Sequence, residues 1–429
     1  MQQAFLEELK KQSAHLNTEG KLKSLQDEAF DTVVQRGLPE KKQGDFQYIP
    51  LEKIYGTVFS LCPQSLALPS KEEISSHLLP ECQKSFILFV DGVFVPELSA
   101  PPEKMLLLPL AKALHSYGPF LQTRLHSTIQ QESDPFALLN LALMRGGVFA
   151  YLPPMTQIAT PVQCLHFLTQ EGVLASPRIQ LFAGKSSSCT LLSTFHLKAD
   201  GLINSLVDLH LEEGAKVEQT SLFSDESDSC LFEALRVTLK RDAAFKGVTI
   251  SRGGKTHRQS FSLSLNGENA QVDLGGVWLL RKELSTHVHV LIDHQAPHTR
   301  SKQHFKGVVN DASQSSFEGK IHVRQAAQKT EAYQLNSNLI LSERAQAFCK
   351  PNLEIFADDV KASHGATIGE LDEEALFYLK TRGIAEKEAK KLLVNAFCEE
   401  IGTKITIPSL HAKFKEDLTE FLEVEATKR

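Results

Sequence analysis

Apolar residues along the chain change their spacing twice. Residues 2 to 36 follow a helical period: Phe5, Leu6 and Leu9 share one face, and Leu22, Leu25, Ala29 and Val33 another. Gly20 divides the two runs, and Gly37-Leu38-Pro39 stops the second. Residues 39 to 100 are mixed, because Pro50, Pro63, Pro69 and Pro80 break any long element. Within them Ser85 to Val95, SFILFVDGVFV, predicts a hairpin turning at Asp91-Gly92. Residues 103 to 130 again predict helix, interrupted by Pro109 and Pro119. A cleaner helix follows. Asp134 is a good N-cap, Pro135 suits the first helical position, and Gly146-Gly147 ends it. Its apolar residues are Leu138, Leu139, Ala142 and Leu143.

From Val148 to Ile368 no long amphipathic helix is predicted. Short alternating runs take over: IQLFA, CTLLSTFHL, NSLVDLHL, FEALRVTL, FSLSL, HVHVLI, KIHVR and NLEIFA. A small turn recurs loosely as Glu213-Gly214-Ala215, Arg241-Asp242-Ala243, Glu268-Asn269-Ala270, Asn310-Asp311-Ala312 and Glu343-Arg344-Ala345. Its alanines lie 28, 27, 42 and 33 residues apart, in the range of solenoid coils. A parallel β-helix and stacked sandwiches both produce such a pattern, and the small turn residues favour the β-helix. Helices return at Asp372, which caps a first turn containing Glu373 and Glu374. Gly383 ends that helix. Ala389, Leu392, Leu393, Ala396, Phe397 and Ile401 form the stripe of the next, and Pro408 starts a last one. The plan is therefore a helical and mixed region (1–150), a β core (151–368) and a helical tail (369–429).

Composition narrows the classes. A chain of 429 residues with 42% hydrophobic and 23% charged residues buries a sizeable core. A formal charge of −6 leaves no broad basic surface for a phosphate backbone, so a general nucleic-acid binder is not expected. No run of about 18 apolar residues occurs, so no membrane helix is expected. Charges in MQQAFLEELKKQ stand where a signal peptide needs an apolar core. The seven cysteines, Cys62, Cys82, Cys164, Cys189, Cys230, Cys349 and Cys398, are odd in number and scattered. They form neither a disulfide framework nor a CxxC ribbon, and a cytoplasmic location is expected.

Common catalytic signatures fail. Gly184-Lys185-Ser186 and Gly254-Lys255-Thr256 look like ends of a phosphate loop, but Ile179 and Thr249 occupy the position of its first glycine. Both sit among strands and read as polar turns. GxGxxG, HExxH and GxSxG are absent, so a non-enzyme is expected. Five histidines fall close together: His287, His289, His294, His298 and His304. His287 and His289 share a strand face, yet no cysteine or carboxylate at matched spacing completes a metal shell, and wall histidines are the better reading. A third candidate is Asp358 to Thr367, where the β region meets the last helices. Gly365 lets the backbone bend beside His364. On the residues alone His364 also fits a solvated turn histidine, and Asp358-Asp359 fits turn chemistry.

This segment and its continuation, DDVKASHGATIGELDEEALFYLKTRGI, resemble the C-terminal signature of the SufB/SufD family, components of iron–sulfur cluster assembly. QKTEAYQLNSNLILS (328–342), HFKGVVNDASQSSFEGKIHV (304–323) and ALLNLALMRGGVFAYLPP (137–154) agree. So do Arg36-Gly37-Leu38-Pro39 and Asp45-Phe46-Gln47-Tyr48. His364-Gly365-Ala366-Thr367 resembles the SufD branch rather than SufB. The resemblance implies a right-handed parallel β-helix flanked by helices. It implies a SufB-like partner bound through the β-helices and a SufC-like ABC-type ATPase bound through the C-terminal helices. It also implies a cluster site at the SufB–SufD interface with His364 as an iron ligand. No cofactor would be held stably by this chain alone. A transient iron–sulfur cluster would be shared with SufB, and a reduced flavin is a candidate ligand of the complex. Phe377 and Tyr378 are the expected SufC anchors. Ala362 stands where many relatives carry a cysteine, and Phe46 and Ile49 replace an expected Trp and Thr. Two other classes compete. A polysaccharide-cleaving β-helix would be exported and rich in aromatic platforms, whereas this chain has one tryptophan, Trp278. A homodimer carrying iron or flavin would use the same exposed strands as the heterodimer.

Overall fold

A computed structural model describes every residue except 17, 19, 41–43, 62–65, 225–226 and 425–429. Cys62 and Pro63 thus lie outside the described residues. Helices α1 (Gln2–Ser13), α2 (Gly20–Arg36), α3 (Leu51–Gly56) and α4 (Lys71–His77) open the chain. Strands β1 (Phe86–Val90), β2 (Val93–Phe94) and β3 (Leu106–Pro109) follow, then helices α5 (Leu110–Ser116), α6 (Gly118–Gln131) and α7 (Pro135–Leu143). Strands then run without a break by helix: β4 (Val148–Leu152), β5 (Val162–Leu168), β6 (Leu174–Ala175), β7 (Arg178–Ala183), β8 (Ser188–Leu197) and β9 (Leu202–Leu211). They continue as β10 (Lys216–Phe223), β11 (Cys230–Leu239), β12 (Ala244–Ser251), β13 (Thr256–Leu265), β14 (Gln271–Leu280) and β15 (Ser285–His294). The last are β16 (Arg300–Val309), β17 (Gln314–Val323), β18 (Thr330–Ile340), β19 (Gln346–Ile355) and β20 (Val360–Gly369). Helices α8 (Glu373–Thr381), α9 (Glu386–Gly402) and α10 (Pro408–Val424) close the described chain.

From β7 onward successive strands alternate between two sheets, and from β8 onward every neighbour in a sheet is parallel. One sheet runs β2-β1-β5-β8-β10-β12-β14-β16-β18-β20 and the other β19-β17-β15-β13-β11-β9-β7-β4-β3. This is a parallel β-solenoid with two strands per coil, and stacked sandwiches are excluded by the parallel pairing. The register moves by one coil at each step, as in Lys216 on Ser188 and Ala244 on Lys216. Inward residues such as Val217, Leu235, Phe245, Leu274, Phe305 and Phe317 fill the interior. The sheet edge also takes in the predicted hairpin, whose Asp91 and Gly92 adopt positive φ between paired Val90 and Val93. Residues 106–109, expected to be helical, form β3 against β4. Pro109, at the strand's end, stands directly before α5.

The recurring turn belongs to two edges, which explains the uneven alanine spacing. On one edge Ser186, Gly214, Asp242, Asn269, His298 and Lys329 take positive φ. Each precedes a buried small residue: Ser187, Ala215, Ala243, Ala270, Thr299 and Thr330. Asp311 and the Ala345 turn lie on the opposite edge, so the 42-residue gap joins two columns rather than two coils.

Two helical layers cover the outer faces. Helices α2, α5, α6 and α7 share a core with Phe149, Phe182, Leu202 and Phe232. Helices α9 and α10 pack through Val394, Ile401, Leu410, Phe414 and Phe421 on Val248, Ile250, Val277 and Val308. The N-terminal layer is also fastened by charge. Arg258 on β13 donates to Asp134 at 2.7 Å and to Asp45 at 3.0 Å. Its guanidinium lies 4.2 Å from the centre of the Phe46 ring. Asp134 meanwhile caps α7 by accepting from the Phe136 N–H. Arg236 holds Glu132 through two hydrogen bonds, at 2.7 and 3.1 Å.

Candidate functional site

The two sheets end together. Strands β19 and β20 are the last of their sheets, and each is paired on one side only. Pro351 within β19 suits an edge strand, since it brings no N–H. The chain then leaves sideways, and α9 and α10 dock on the outer face of the sheet, not over the final coil. Among the described residues nothing caps this end of the solenoid. Phe356 is 60% exposed and Ile368 50% exposed beside it. An uncovered strand edge with apolar side chains is a pairing surface unless something occupies it.

His364 lies on β20 at this end and is exposed. Its strand neighbour is Gln334, and below that Gln303, so the three share one register column. Val360 and Ala362 pack inward with Ile321 and Val323. His364 continues that alternation and stands at the mouth of the interior.

The interior under the mouth is polar, which the hydrophobic pattern did not predict. On β18 the amides Gln334, Asn336 and Asn338 are buried, whereas Tyr333 and Leu335 are exposed. Asn338 donates to Asn336 at 2.8 Å, and Asn336 donates to the Phe305 carbonyl at 3.3 Å. Cys349 of β19 meets them from the other sheet. Its thiol donates to Asn336 Oδ1 at 2.7 Å, and Asn338 donates to its sulfur at 3.2 Å. Burial pushes the thiol up to about 11, and the Asn338 bond opposes that shift. The alternating Gln-x-Asn-x-Asn run was the available signal for this lining.

The other predicted residues are dispersed. His287 is buried on the outer face of its sheet, with Nδ1 2.8 Å from Ser316 Oγ, and burial holds it down at about 3. His289 stands 3.8 Å from Asp45. His294 is enclosed between Thr299 and Ser301, both at 2.8 Å, and burial lowers it to about 4. His298 is a turn residue, and His304 lies 3.6 Å from Glu400 of α9. Among the described residues no group of three or more His, Cys, Asp or Glu converges on one metal position. The two Gly-Lys-Ser/Thr segments are turns before strands, with no helix behind them.

Phe377 and Tyr378 sit on α8. Asp372 caps that helix through the N–H groups of Glu374 and Ala375, at 2.9 and 3.1 Å. The helix buries none of its residues: Phe377 is 69% and Tyr378 56% exposed. The Arg382 guanidinium lies 5.0 Å from the Tyr378 ring centre. The structure therefore leaves both side chains outside the β end on which they would otherwise pack. Among the described residues no helix is long and apolar enough to cross a membrane.

A parallel β-solenoid with helical layers and one open coil defines the class. Residues 166–397 match the SufBD core domain of the SUF system for FeS cluster assembly, and residues 2–164 match the SufBD protein N-terminal region. The chain belongs to the SufBD family. It is 28% identical to an iron–sulfur cluster assembly SufBD family protein of Synechocystis, over 96% of this chain and 94% of that protein. It is 27% identical to the iron–sulfur cluster assembly protein SufD of Escherichia coli, over 86% of each. A SufBD family protein of Pyrococcus horikoshii is 29% identical over 71% of this chain and 68% of its own length. The chain is thus an iron–sulfur cluster assembly protein of this family and a homologue of SufD.

Proposed function

We propose that this chain is a non-catalytic scaffold subunit of a SufBCD-type assembly complex. Strands β19 and β20 pair with a SufB-like chain, and the nascent cluster is cargo held where the two solenoids meet. His364 supplies this chain's imidazole to that site, since a neutral ring nitrogen is a competent iron ligand. A SufC-like ATPase binds the face carrying Phe377 and Tyr378, and a reduced flavin is a candidate ligand of the whole complex. The cytoplasm suits such an assembly, because its thiols stay reduced there.

One observation carries the reading: the final coil is open along its outer strand edges, with His364 at its mouth. The unburied helix α8 supports the second contact, because an amphipathic helix with no buried residue gains from a partner. ATP-driven movement of the SufC-like subunit shifts the interface only as far as the nucleotide favours one arrangement over the other.

Co-expression with the SufB-like and SufC-like chains, followed by capture on this chain, tests the proposal. Both partners are expected in the wild-type capture. Phe377→Ala combined with Tyr378→Ala is expected to release the SufC-like subunit and keep the SufB-like one. Unchanged SufC-like capture would reject that contact. Recovery of this chain only as a pair with itself, inert to the SufB-like chain, would favour an iron- or flavin-carrying homodimer instead.

A further inference from the structure

Three features of the last coils remain unused by the scaffold reading. The first is a set of buried amide atoms without hydrogen-bond partners: both ends of Gln303 and Oε1 of Gln334. Gln334 is 3% exposed and Gln303 1%. Such atoms are costly to bury empty-handed, and they mark a place where a ligand or water completes the shell. The second is a glycine that makes room for them. A Cβ at Gly319 would meet the Gln334 amide oxygen at 2.4 Å. The third is Cys349, which with Cys230 is one of two described cysteines that are not fully buried. Cys82, Cys164, Cys189 and Cys398 are buried.

The three features stand in neighbouring register columns of the last coils. Asn336 and Asn338, which hold the Cys349 sulfur, lie in register under Ala366 and Ile368 of β20. His364 is the next inward position of that strand and lies in register on Gln334. β20 itself has no thiol, since its inward position before His364 is Ala362.

We propose that Cys349 is a further metal-binding residue of this chain, forming with His364 and the Gln334 amide oxygen a half-site for a thiophilic divalent transition ion. The proposal rests on the open-end reading only for the identity of the ion in the assembly, where it would be iron. Thiolate plus imidazole selects this class of metal over magnesium or calcium. On binding, the Cys349 S–H proton passes to water and the sulfur lone pair goes to the metal. Asn338 still donates to the sulfur, and Asn336 Oδ1 keeps the Asn338 N–H as its donor. Two strong donors do not close a tetrahedral shell, so the remaining positions fall to water in the isolated chain and to the partner in the complex.

Cobalt(II) alone is the probe, added anaerobically to the purified full-length chain. A saturable thiolate-to-cobalt absorption band is expected in the wild type. It should vanish in Cys349→Ser, persist in Cys230→Ser, and require at least about tenfold more cobalt in His364→Ala. A map of iodoacetamide alkylation on the unmutated chain gives the same answer without a variant. Cobalt should slow modification of Cys349 at least about tenfold and leave Cys230 unchanged, with Cys62 followed in the same map. No band in the wild type, an equal band in Cys349→Ser, or an unprotected Cys349 would each overturn the proposal. None of these readouts involves a partner chain. Failure to assemble with the SufB-like protein would therefore sink the scaffold reading and leave the metal site standing, and the reverse also holds.

Discussion

Arg258 is the residue whose loss should most clearly separate the two layers of the molecule. Its guanidinium is buried and binds Asp134 and Asp45, two carboxylates from the N-terminal region, while its plane faces Phe46. Burial alone would raise the Asp134 pKa. Arg258 and then Arg236, with hydrogen bonds from Arg258 and Ser260, outweigh that and hold the carboxyl well below the usual carboxylate range. Arg258→Ala leaves Asp134 buried with Arg236 at 3.6 Å as its remaining cation. Breaking a buried pair from one side costs roughly 3–5 kcal/mol, and the surviving Arg236 places this case near about 3. At about 1.4 kcal/mol per tenfold, that is on the order of a hundredfold more opening of the N-terminal layer. Amide hydrogen exchange is the assay, read on α7 and residues 44–49 against β10–β16 as internal control. Faster exchange confined to the N-terminal elements is expected, with Arg258→Lys recovering part of it because a lysine cannot bind both carboxylates in the same fork. The Asp134 contribution carries a sign. Its folded pKa is depressed, so the stabilisation is complete above about pH 4, the unfolded value, and fades as pH falls toward the folded one. Unchanged exchange in Arg258→Ala at neutral pH would refute the reasoning.

Two further outcomes follow from the solenoid interior and its turns. Gly267→Ala places a Cβ 2.0 Å from the Arg241 backbone nitrogen, and no side-chain movement relieves that clash. A loss of soluble protein or a lowered melting temperature is expected, and wild-type melting would contradict the packing described for that turn. Burial lowers His166, His196 and His287 to about 3 and His294 to about 4. Unfolded imidazoles protonate below about 6.5, so the unfolded state binds more protons and stability falls as pH drops from about 6.5 toward 4, by about 1.4 kcal/mol per pH unit for each histidine. Melting temperature recorded from pH 7.5 to 5 should fall accordingly. His166→Phe, which replaces a ring stacked between Phe89 and Phe195, should remove one histidine's share of that slope and leave the rest. A flat wild-type profile would show that these rings are already solvated.

Local chemistry made much of this architecture legible. Asp134 and Asp372 announced helix starts because Pro135 follows the one and Glu373-Glu374 the other, directly before a helical run, and both accept the expected N–H groups. Asp91-Gly92 announced its hairpin because both positions need positive φ. The alternating runs after Val148 became strands for the same short-range reason. What stayed hidden is non-local. Nothing in Phe86–Val90 says that it pairs with β5, 77 residues further along in register. The turn column was blurred because two edges present the same small residues. Leu106–Pro109 was misjudged because an apolar run of four fits a strand or a helix equally. The mouth was hidden more deeply. On β18 the usual rule is inverted, with Gln334, Asn336 and Asn338 inside and Tyr333 and Leu335 outside. Alternation fixes that two faces exist, but the solvated face is decided by the neighbouring coils. His364 was found through resemblance and placed by the backbone. Cys349 had no distinguishing context until its asparagines were seen around it.

The central claim is that the open end of this solenoid is a pairing surface serving cluster assembly. Native mass of the assembly co-expressed with the SufB-like and SufC-like chains tests it most directly, with iron and sulfide assayed on the same sample. Wild type, His364→Ala and Ile368→Asp are compared. The account predicts one copy each of this chain and the SufB-like chain with two SufC-like subunits. It predicts the same mass but less iron and sulfide for His364→Ala, and loss of the SufB-like chain alone for Ile368→Asp. Full assembly and wild-type iron in both variants, or no association of the wild type with the SufB-like chain, would contradict it.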